Sequence, residues 1–582
     1  MRILGLSSFS NNSAAAILED GVIKSAIEND KVVGKRTRGL PEAAIRSCFA
    51  ETGTSWAGID LVAVATQPLR GWARKTALRA RFSFGAPLVS GYHEVNDIAL
   101  MVRQLNDLRI ARKQVSAGSG RLLTLNHHRC HAASAFYLSP FDRALIVTAD
   151  KDGDGEAMTV SVGEGNRIRV LRKLALPHSL AWVYSRVTDM IGFLPHQEEH
   201  KTQWLSLQGE PTFKEILVKI LGGASASMPR VDDSYFNHGS ARAVFSAKFY
   251  RETGLPSDST QLSDDQRKAL ASSIQEACAE VLTAVVQHFR KTEKVGPVCL
   301  AGGLFQNALL VSSLEERFDQ VFVPPAAANA GTALGAALLA WHDSQPAATR
   351  QESGFDVFCG PRFNNLLVKE TLDNCKSRYH LQNTQDRELD VVARLLQAGK
   401  IVGWFQNGSE FGPRALGARS VLASPWAPYV KENLNDFIKH REWFRPFAIA
   451  IPEEDCARYF QASPQCRFMN SVAKVLPNTD CLPEAFLLPG RRIRLQVVER
   501  KSNPLFWKLL KRFGEQAQAP MLINSSFNLC GEPLVVTPRD ALRSYFASGL
   551  DALVIGNFVL SKTSLPASVP AVSASSTVGI GA

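Results

Sequence analysis

Residues 2–28 read RILGLSSFSNNSAAAILEDGVIKSAIE: an apolar segment, a turn of small polar residues, and a second apolar segment divided by Asp20-Gly21. An Asp-Gly pair between apolar residues is a strong hairpin signal, because both positions adopt positive φ readily. The stretch therefore predicts a strand, a polar turn and a β-hairpin. A second unit with the same pattern, RALIVTADKDGDGEAMTVSVGEGNRIRVLR, occupies residues 143–172.

Two such units separated by helical sequence predict a duplicated α/β fold that clamps a nucleotide or phosphate between its halves. This layout resembles the actin/hexokinase/heat-shock superfamily. The next expected piece is PVCLAGGLFQNALL at 297–310, a strand that runs into two glycines and then a helix. Glycines permit close approach of an adenosine, and a helix N-terminus favours a phosphate. The predicted nucleotide-binding residues are Gly153, Gly302, Gly303 and Asn307.

Cations crowd a later stretch in which few acids are interleaved. It comprises GWFQNGSEFGPRALGARS at 403–420 and LNDFIKHREWFRP at 434–446. Guanidinium groups on a tight Gly/Pro turn suit a phosphate or carboxylate ligand, because each donates two parallel hydrogen bonds. The pattern predicts an anion-binding centre, with a set of surface ion pairs as the alternative. The basic residues concerned are Arg414, Arg419, Lys439, Arg441 and Arg445.

Three strings in this half of the chain resemble the C-terminal half of the O-carbamoyltransferases. They are EFGPRALGARS at 410–420, REWFRPFA at 441–448 and INSSFNLCGEPLVVTPRDAL at 523–542. That family includes the nodulation-factor, cephamycin and tobramycin carbamoylating enzymes. The likeness extends over nearly the whole chain, from LGLSSFSNNSAAAILEDG at 4–21 to SGLDALVIGNFVL at 548–560.

The resemblance also implies how the chain divides. At 582 residues the chain is too long for one ordinary core. Irregular polar sequence between about residues 341 and 363 marks a boundary. We expect an actin/hexokinase-like carbamoyl-transfer domain over 1–350 and a smaller α/β domain of the threonylcarbamoyl-AMP synthase type over 351–564. Residues 565–582 are small and polar without periodicity, which predicts a disordered tail.

The function that the resemblance implies is carbamoyl transfer driven by ATP. The smaller domain would form carbamoyl adenylate from carbamoyl phosphate and ATP, with Mg²⁺, and the larger domain would pass the carbamoyl group to a hydroxyl of a small natural product. Arg419 and Arg441 are also open to a structural interpretation, paired with Glu410 or Glu442. The predicted catalytic residues are Lys439, Arg414 and Arg494, and the predicted substrate-binding residues are Arg419, Arg445, Ser526 and Asn528.

A candidate metal site lies between the two hairpin units, in NHHRCHAASAFYLSPF at 126–141. On a helix, His127 and His131 are four residues apart and share one face, so the two imidazoles can bind one metal. The alternative is a pair of core or surface histidines without a ligand. The resemblance implies that this pair binds Fe(II) or another divalent metal, with Asp150 as the next ligand. Asn329 stands where the family usually has an Asp, so we expect weaker metal binding.

Other departures from the family surround the same site. Asn11 and Asn12 replace a His and an Asp, and Val311 replaces an Asn. The string EEHKTQWLSLQGEP at 198–211 keeps Lys201 but loses the small-residue turn of the family's string. Amides in place of titratable groups weaken any general-base role. They motivate an alternative, a catalytically altered homologue with another acceptor or a purely binding role. A tRNA threonylcarbamoylation factor is a further alternative, disfavoured because GPRALGxRS and FRPFA belong to the small-molecule branch.

Charge and composition leave the partner class open. Lys and Arg number 66 against 55 Asp and Glu, a net charge of +11, which suits phosphorylated substrates as well as nucleic acid. The basic segment QPLRGWARKTALRARFSF at 67–84 alternates its cations with apolar residues, so we interpret it as a solvated helix face and expect no nucleic-acid partner. The ten cysteines are dispersed, and the sequence has no signal peptide, which predicts a cytoplasmic protein. No apolar stretch is long enough to predict a membrane segment. We also consider that the protein forms a homodimer.

Overall fold

The computed structural model describes residues 1–562 apart from 8, 10, 71, 73–97, 119, 224–226, 238–243, 346–354 and 382–384. Three predictions lie outside the described residues: the disordered tail over 565–582, most of the basic segment 67–84, and the domain boundary between 350 and 351. We call residues 1–345 the larger domain and residues 355–562 the smaller domain.

The larger domain contains two five-stranded sheets. The first has the order β3-β2-β1-β4-β5 and the second the order β10-β9-β6-β7-β8. Their strands are β1 (Arg2–Leu6), β2 (Ala14–Glu19), β3 (Val22–Glu28), β4 (Leu61–Val64), β5 (Arg121–Thr124), β6 (Arg143–Gly153), β7 (Glu156–Glu164), β8 (Arg167–Ala175), β9 (Val298–Ala301) and β10 (Val321–Phe322).

The two sheets have the same topology. In each, three consecutive strands pair antiparallel, a later strand pairs in parallel with the first of the three, and one more strand pairs in parallel with that later strand. Parallel additions need crossover connections, which the helices supply. The predicted duplicated actin/hexokinase-like α/β fold is confirmed, and the hairpin units at 2–28 and 143–172 supply the three-stranded part of each half.

Helices cover these sheets and fill the space between them. They are α1 (Asn29–Val33), α2 (Glu42–Thr52), α3 (Ile98–Ser116), α4 (His127–Tyr137), α5 (Leu180–Met190), α6 (Glu199–Leu205), α7 (Lys214–Ile220), α8 (Ala247–Thr253), α9 (Asp264–Glu293), α10 (Ala308–Glu315) and α11 (Gly331–Ser344). Helices α4 and α11 share one apolar core with both sheets. They approach so closely that a Cβ on Gly335 would lie 1.9 Å from the Cys130 carbonyl oxygen. The helix with the paired histidines therefore lies where the two halves meet.

Helix α9 is the one described helix that is long and apolar enough to cross a membrane. Of its most apolar 18-residue window, 78% is buried inside the structure, where the helix packs in the largest core cluster. Its N-terminus has a capping box, in which the side chains of Ser263 and Gln266 each accept a main-chain N–H of the other residue. These features are typical of a core helix.

The smaller domain is a further α/β unit built on one mixed sheet in the order β11-β20-β19-β12-β13-β18-β14-β17-β16-β15. Its strands are β11 (His380–Leu381), β12 (Val402–Phe405), β13 (Arg419–Ala423), β14 (Ala448–Pro452), β15 (Phe460–Gln461), β16 (Val472–Val475), β17 (Arg492–Val498), β18 (Leu522–Ser526), β19 (Ala552–Ile555) and β20 (Phe558–Ser561). Its helices are α12 (Asn365–Asn374), α13 (Gln385–Gln397), α14 (Val430–Leu434), α15 (Glu453–Tyr459), α16 (Pro504–Gly514) and α17 (Pro538–Phe546).

The two domains are held together by apolar and polar contacts. An apolar cluster joins Trp204, Ala308 and Leu309 of the larger domain to Val472 and Leu488 of the smaller. Asn470 donates its amide hydrogens to the carbonyls of Val323 and Pro324, both at 3.2 Å, which fixes the smaller domain to the segment after β10. A rigid junction of this kind can support a site with groups from both domains.

Candidate active site

His127 and His131 lie on one face of α4, beside Asp150 on β6. Their Nε2 atoms are 3.0 Å apart. Asp150 Oδ2 lies 3.2 Å from His131 Nε2 and 3.5 Å from His127 Nε2. Ligand atoms of the three residues all lie within 4.8 Å of one another. The structure thus brings together three of the four predicted metal ligands.

Local sequence accounts for this arrangement. Asn126 caps α4 by accepting the Arg129 N–H at 3.1 Å, so the helix begins at His127. Asp154 accepts the main-chain N–H of His127 at 2.8 Å. Gly153 leaves room for the imidazole, because a Cβ there would lie 2.2 Å from His127 Cδ2. The histidine pair is therefore held by its helix cap and by the end of β6.

The electrostatics of the cluster favour an ionised carboxylate between two imidazoles. Burial opposes ionisation of Asp150, but hydrogen bonds from His127 and His131 outweigh it and hold the Asp150 pKa well below its usual range. Burial lowers the pKa of His131, whereas hydrogen bonding to Asp150 overcomes burial and raises the pKa of His127. Two imidazole nitrogens and one carboxylate form a donor set that binds Fe(II), Zn(II) or Mn(II). The residues fit a divalent metal.

Asn329, the fourth predicted ligand, precedes α11 and lines the same cavity as Asp150. Its Nδ2 donates to the main-chain oxygen of Asn11 at 3.4 Å. Asn11 and Asn12 also line this cavity. Asn11, Asn12 and Asn329, which we interpret from the sequence as departures, therefore line the same cavity as Asp150.

The predicted nucleotide-binding residues lie around Asp150. Gly302 has a φ of +106°, and a Cβ there would lie 2.1 Å from the Ala149 carbonyl oxygen, so the turn after β9 requires glycine. A Cβ on Gly303 would lie 3.2 Å from Asp150 Oδ1. Asn307 caps α10 and donates to Gln275 Oε1 at 2.7 Å. Each has a packing or capping role, and nucleotide binding by these residues and Gly153 stays a prediction.

In the smaller domain, Lys439 lies at the end of a π-helical turn, Asn435–Lys439, and is buried. Its ammonium donates to Asn528 Oδ1 at 2.8 Å, to the Asn528 carbonyl and Ser526 Oγ at 3.3 Å, and to the Ser526 carbonyl. Ser526 Oγ in turn donates to Asn528 Oδ1 at 2.7 Å. Burial, followed by the charges of Arg441 and Arg445, lowers the pKa of Lys439 to about 7.

Arg441 and Arg445 act on this lysine by charge repulsion, and Arg414 and Arg494 are linked to Arg445 in the same way. Burial and the charge of Arg445 lower the pKa of Arg414 to about 10 and that of Arg441 to about 9, so both remain cationic at neutral pH. Burial, followed by the charge of Arg414, lowers the pKa of Arg494 well below its usual range. Arg445 pairs with Glu442 at 3.6 Å. We call Arg414, Lys439, Arg441, Arg445 and Arg494 the cation cluster.

Several donors of the cation cluster have no partner within the described part of the chain. Arg414 Nε, Arg441 Nη2 and Arg494 Nε are buried and make no hydrogen bond there. A buried, unsatisfied cationic donor is costly, because it has lost its hydration without replacement. An anionic ligand would satisfy these donors and neutralise like charges that otherwise repel.

Arg419 is placed differently from the other predicted cations. It is fully buried in the core, where it donates to the carbonyls of Asn407 (3.1 Å) and Pro361 (3.2 Å) and stacks 3.7 Å from the Phe405 ring centre. Its described contacts are internal, so we leave Arg419 out of the proposed site. Glu410 does not pair with this guanidinium but accepts main-chain N–H groups of the following loop.

A cavity of about 710 Å³ joins the two groups of residues. It is lined by Asp150 and Asn329 of the larger domain and by Arg414 of the smaller. Arg414 Nη2 also donates to the Gln306 carbonyl of the larger domain at 3.2 Å. The His–Asp cluster and one member of the cation cluster therefore face a common space between the domains.

Sequence reasoning missed several residues that line this cavity. Glu199 accepts a hydrogen bond from the Ser185 hydroxyl at 2.5 Å. Burial, followed by the charges of Arg445 and Arg414, lowers the pKa of His200 to about 3. Gln203 is 2% exposed, and its Nε2 has no partner within the described part. These residues lie on or near α6, in a string that no longer follows the family pattern, so only the fold reveals them.

Comparisons with known proteins agree with this arrangement. A family model described as "Carbamoyltransferase N-terminus" matches residues 2–338, and one described as "Carbamoyltransferase C-terminus" matches residues 393–562. The uncharacterized protein sll1178 of Synechocystis sp. is 32% identical over 604 residues, which cover 97% of each chain. Nodulation protein NolNO of Sinorhizobium fredii is 30% identical over 571 residues, 95% of this chain and 79% of its own.

A shorter match joins the chain to a named enzyme. The 3'-hydroxymethylcephem-O-carbamoyltransferase of Amycolatopsis lactamdurans is 29% identical over 241 residues, 41% of this chain and 44% of its own. Among solved structures, the ROK hexokinase from Thermus thermophilus covers 60% of this chain and 100% of its own, with 17% identity and a TM-score of 0.30. Since the N-terminal family model alone matches more than half of the chain, the protein belongs to the carbamoyltransferase family and is a carbamoyltransferase.

Proposed function

We propose that this carbamoyltransferase forms carbamoyl adenylate from carbamoyl phosphate and ATP in the smaller domain, and transfers the carbamoyl group to a small-molecule hydroxyl in the larger domain. The observation that carries the proposal is the cation cluster, whose buried donors on Arg414, Arg441 and Arg494 are unsatisfied in the described structure. Two polyanions must be held together against their repulsion, which needs several converging cations.

The first step would take place at the cation cluster. Water cleaves carbamoyl phosphate to carbamate and phosphate, a carbamate oxygen then attacks the α-phosphorus of ATP, and pyrophosphate leaves. Arg414, Arg441 and Arg494 would bind the phosphates, whose Mg²⁺ enters with ATP. Lys439 and Ser526 already share the Asn528 amide oxygen. We propose that the Asn528 and Ser526 side chains orient the planar carbamate.

The second step would take place in the larger domain. The acceptor hydroxyl oxygen attacks the carbamoyl carbon and releases its proton to solvent, and the bond between that carbon and the phosphate oxygen of AMP breaks. His127, His131 and Asp150 would hold a divalent metal, Fe(II) or another, which as a Lewis acid would polarise an oxygen of the reacting group. The cavity shared by Asp150 and Arg414 supports passage of the intermediate from one domain to the other. A small-molecule acceptor is supported by the named cephem carbamoyltransferase relative.

The proposal is tested by measuring turnover of ATP to AMP and pyrophosphate with and without carbamoyl phosphate. We expect carbamoyl-phosphate-dependent release of pyrophosphate. A protein that binds carbamoyl phosphate without producing pyrophosphate would instead support the altered homologue with a binding role, which Asn11, Asn12 and Asn329 motivate.

The ten cysteines, none in a disulfide, support a reducing, cytoplasmic compartment.

A further inference from the structure

Lys31 of the larger domain reaches the loop of the smaller domain that carries Arg414. It lies on α1, and its side chain is 8% exposed. Its ammonium donates to the carbonyls of Glu410 and Gly412, both at 2.7 Å, and pairs with Glu28 Oε2 at 3.0 Å. An ammonium has three donors. Two of them hold the smaller domain, and the charge of the ammonium pairs with Glu28.

Glu28 completes the contact from the other side. Its Oε1 accepts the Gly412 N–H at 2.8 Å, so both main-chain polar groups of Gly412 bind the larger domain. Gly412 has a φ of +123°, which favours glycine, and a Cβ there would lie 2.9 Å from the Pro325 carbonyl oxygen. The main chain two residues before Arg414 is therefore fastened to the larger domain.

The chain after Arg414 is fastened as well. The Glu410 carboxylate accepts the N–H groups of Leu416 and Ala418 at 2.8 Å and of Arg419 at 3.0 Å. Because the Glu410 carbonyl is also bound by Lys31, the same residue links the contact with the larger domain to the far side of the loop. Arg414 lies between these two fixed points.

We propose that Lys31 and Glu28 are positioning residues, through which the larger domain places Arg414 in the anion site of the smaller domain. Formation of carbamoyl adenylate then requires the larger domain even though every cation of the cluster belongs to the smaller one. The inference rests on the proposed function, in which the cation cluster binds carbamoyl phosphate and ATP. Buried ion pairs contribute little net stability compared with apolar residues, so a role in fixing geometry explains this pair better than adhesion between domains.

The test uses the full-length protein with the double substitution Glu28→Gln and Lys31→Met. This change leaves no lone buried charge, and glutamine can still accept the Gly412 N–H. We expect kcat/KM for carbamoyl-phosphate-dependent exchange of labelled pyrophosphate into ATP to fall about tenfold, the effect of a lost charge-assisted contact. The matched control is Lys474→Met, which removes another ion pair between the domains, with Glu316 at 3.7 Å, away from the loop.

A double-mutant cycle separates positioning from general destabilisation. If Lys31 and Glu28 act through Arg414, the double substitution causes no further loss in an Arg414→Ala background. Additive losses, or wild-type exchange in the double variant, would overturn the inference. Should the double variant fold poorly, Glu28→Asp is the milder test, because it keeps the charge opposite Lys31 but withdraws the carboxylate from the Gly412 N–H. We expect a loss of about threefold that also vanishes in the Arg414→Ala background.

The same assay distinguishes the two levels of the proposal. Absence of exchange in the wild-type protein would overturn the proposed function and this inference together. Wild-type exchange that is unchanged by substitution at Glu28 and Lys31 would overturn only the positioning role. The inference is supported if exchange falls in the double variant but not in Lys474→Met. It also requires that the double substitution causes no further loss in the Arg414→Ala background.

Discussion

The Nε2 atoms of His127 and His131 face each other at 3.0 Å, and Asp150 reaches both through one carboxylate oxygen. Two nitrogens at this distance are compatible when one of them carries a proton or when a cation lies near both. The pKa of Asp150 is held well below its usual range, so the carboxylate is ionised and supplies the matching negative charge. The arrangement therefore suits either a proton or a divalent metal as the shared cation, and metal analysis can distinguish them.

Metal content is the first prediction. The resemblance implies a carboxylate where this chain has Asn329, so the site would carry one negative charge fewer and we expect substoichiometric metal in the purified protein. Asn329→Asp should raise the occupancy, and His131→Ala should abolish it. The measurement is elemental analysis of the purified protein, repeated after dialysis against Fe(II), Zn(II) or Mn(II) and removal of free metal.

His128 provides the matched control on the same helix. It is buried, with hydrogen bonds to Thr148 Oγ1 at 2.7 Å and to the Glu156 carbonyl at 3.0 Å, and does not belong to the ligand cluster. His128→Gln should therefore retain the metal that His131→Ala loses. Full metal occupancy in the wild type, with no change in Asn329→Asp, would show that the amide of Asn329 does not weaken metal binding. Metal retained in His131→Ala would show that the histidines have a structural role.

The second prediction concerns phosphate binding by the cation cluster. Arg414→Ala and Arg494→Ala should each weaken carbamoyl-phosphate-dependent pyrophosphate exchange by about one to two decades, because a charge-assisted hydrogen bond contributes about 1.5–3 kcal/mol. Relief of like-charge repulsion should keep both variants folded. Circular dichroism and exchange kinetics measure the two properties separately.

Arg467→Ala is the control for a lost arginine elsewhere in the smaller domain. Its guanidinium is partly exposed and pairs with Glu499. Exposed pairs contribute little, so we expect near-wild-type exchange. Wild-type exchange in Arg414→Ala and Arg494→Ala would remove the cation cluster from the proposed site.

Part of this architecture could be predicted from local sequence. The hairpin units at 2–28 and 143–172 and the glycines after β9 depend on near neighbours in the chain, and the structure has them where the pattern indicated. The i, i+4 spacing likewise places His127 and His131 on one face. Such features follow from periodicity and turn chemistry, which a single sequence displays.

The rest depends on contacts between distant residues. Nothing near Lys31 in the sequence indicates that its ammonium binds Glu410 and Gly412 almost 400 residues later. Arg419 resembles its neighbours in the GPRALGARS string, yet its place on strand β13 directs it into the core against Phe405. Cation patterns indicate an anion site, whereas only the packed fold decides which cations reach it.

The third prediction follows for Arg419. Arg419→Met would leave the buried carbonyls of Gln406 and Pro361 without their donor, so the free energy of unfolding should fall by about 1–3 kcal/mol. Urea denaturation followed by tryptophan fluorescence measures the change. An unaltered unfolding transition together with a tenfold loss of substrate affinity would restore the substrate-binding role that the sequence predicted.

The last prediction is a pH dependence of binding at Lys439. In the free protein, burial and the charges of Arg441 and Arg445 lower its pKa to about 7, far below the 10.5 of an ordinary lysine. A bound polyanion favours the ammonium and raises this pKa. Between the free and the bound pKa, binding therefore takes up a proton. Affinity for carbamoyl phosphate should fall as the pH rises above about 7.

Calorimetric titration of carbamoyl phosphate at pH 8, in buffers of different ionisation enthalpy, measures this proton uptake directly. We expect uptake of up to one proton per site in the wild type, because Lys439 is then largely neutral when free and charged when bound. Lys439→Met should bind more weakly and take up less proton than the wild type at pH 8, since Arg414 and Arg441 are largely protonated there in both states. Equal proton uptake in wild type and Lys439→Met would assign the titration to another group and leave Lys439 without contact to the anion.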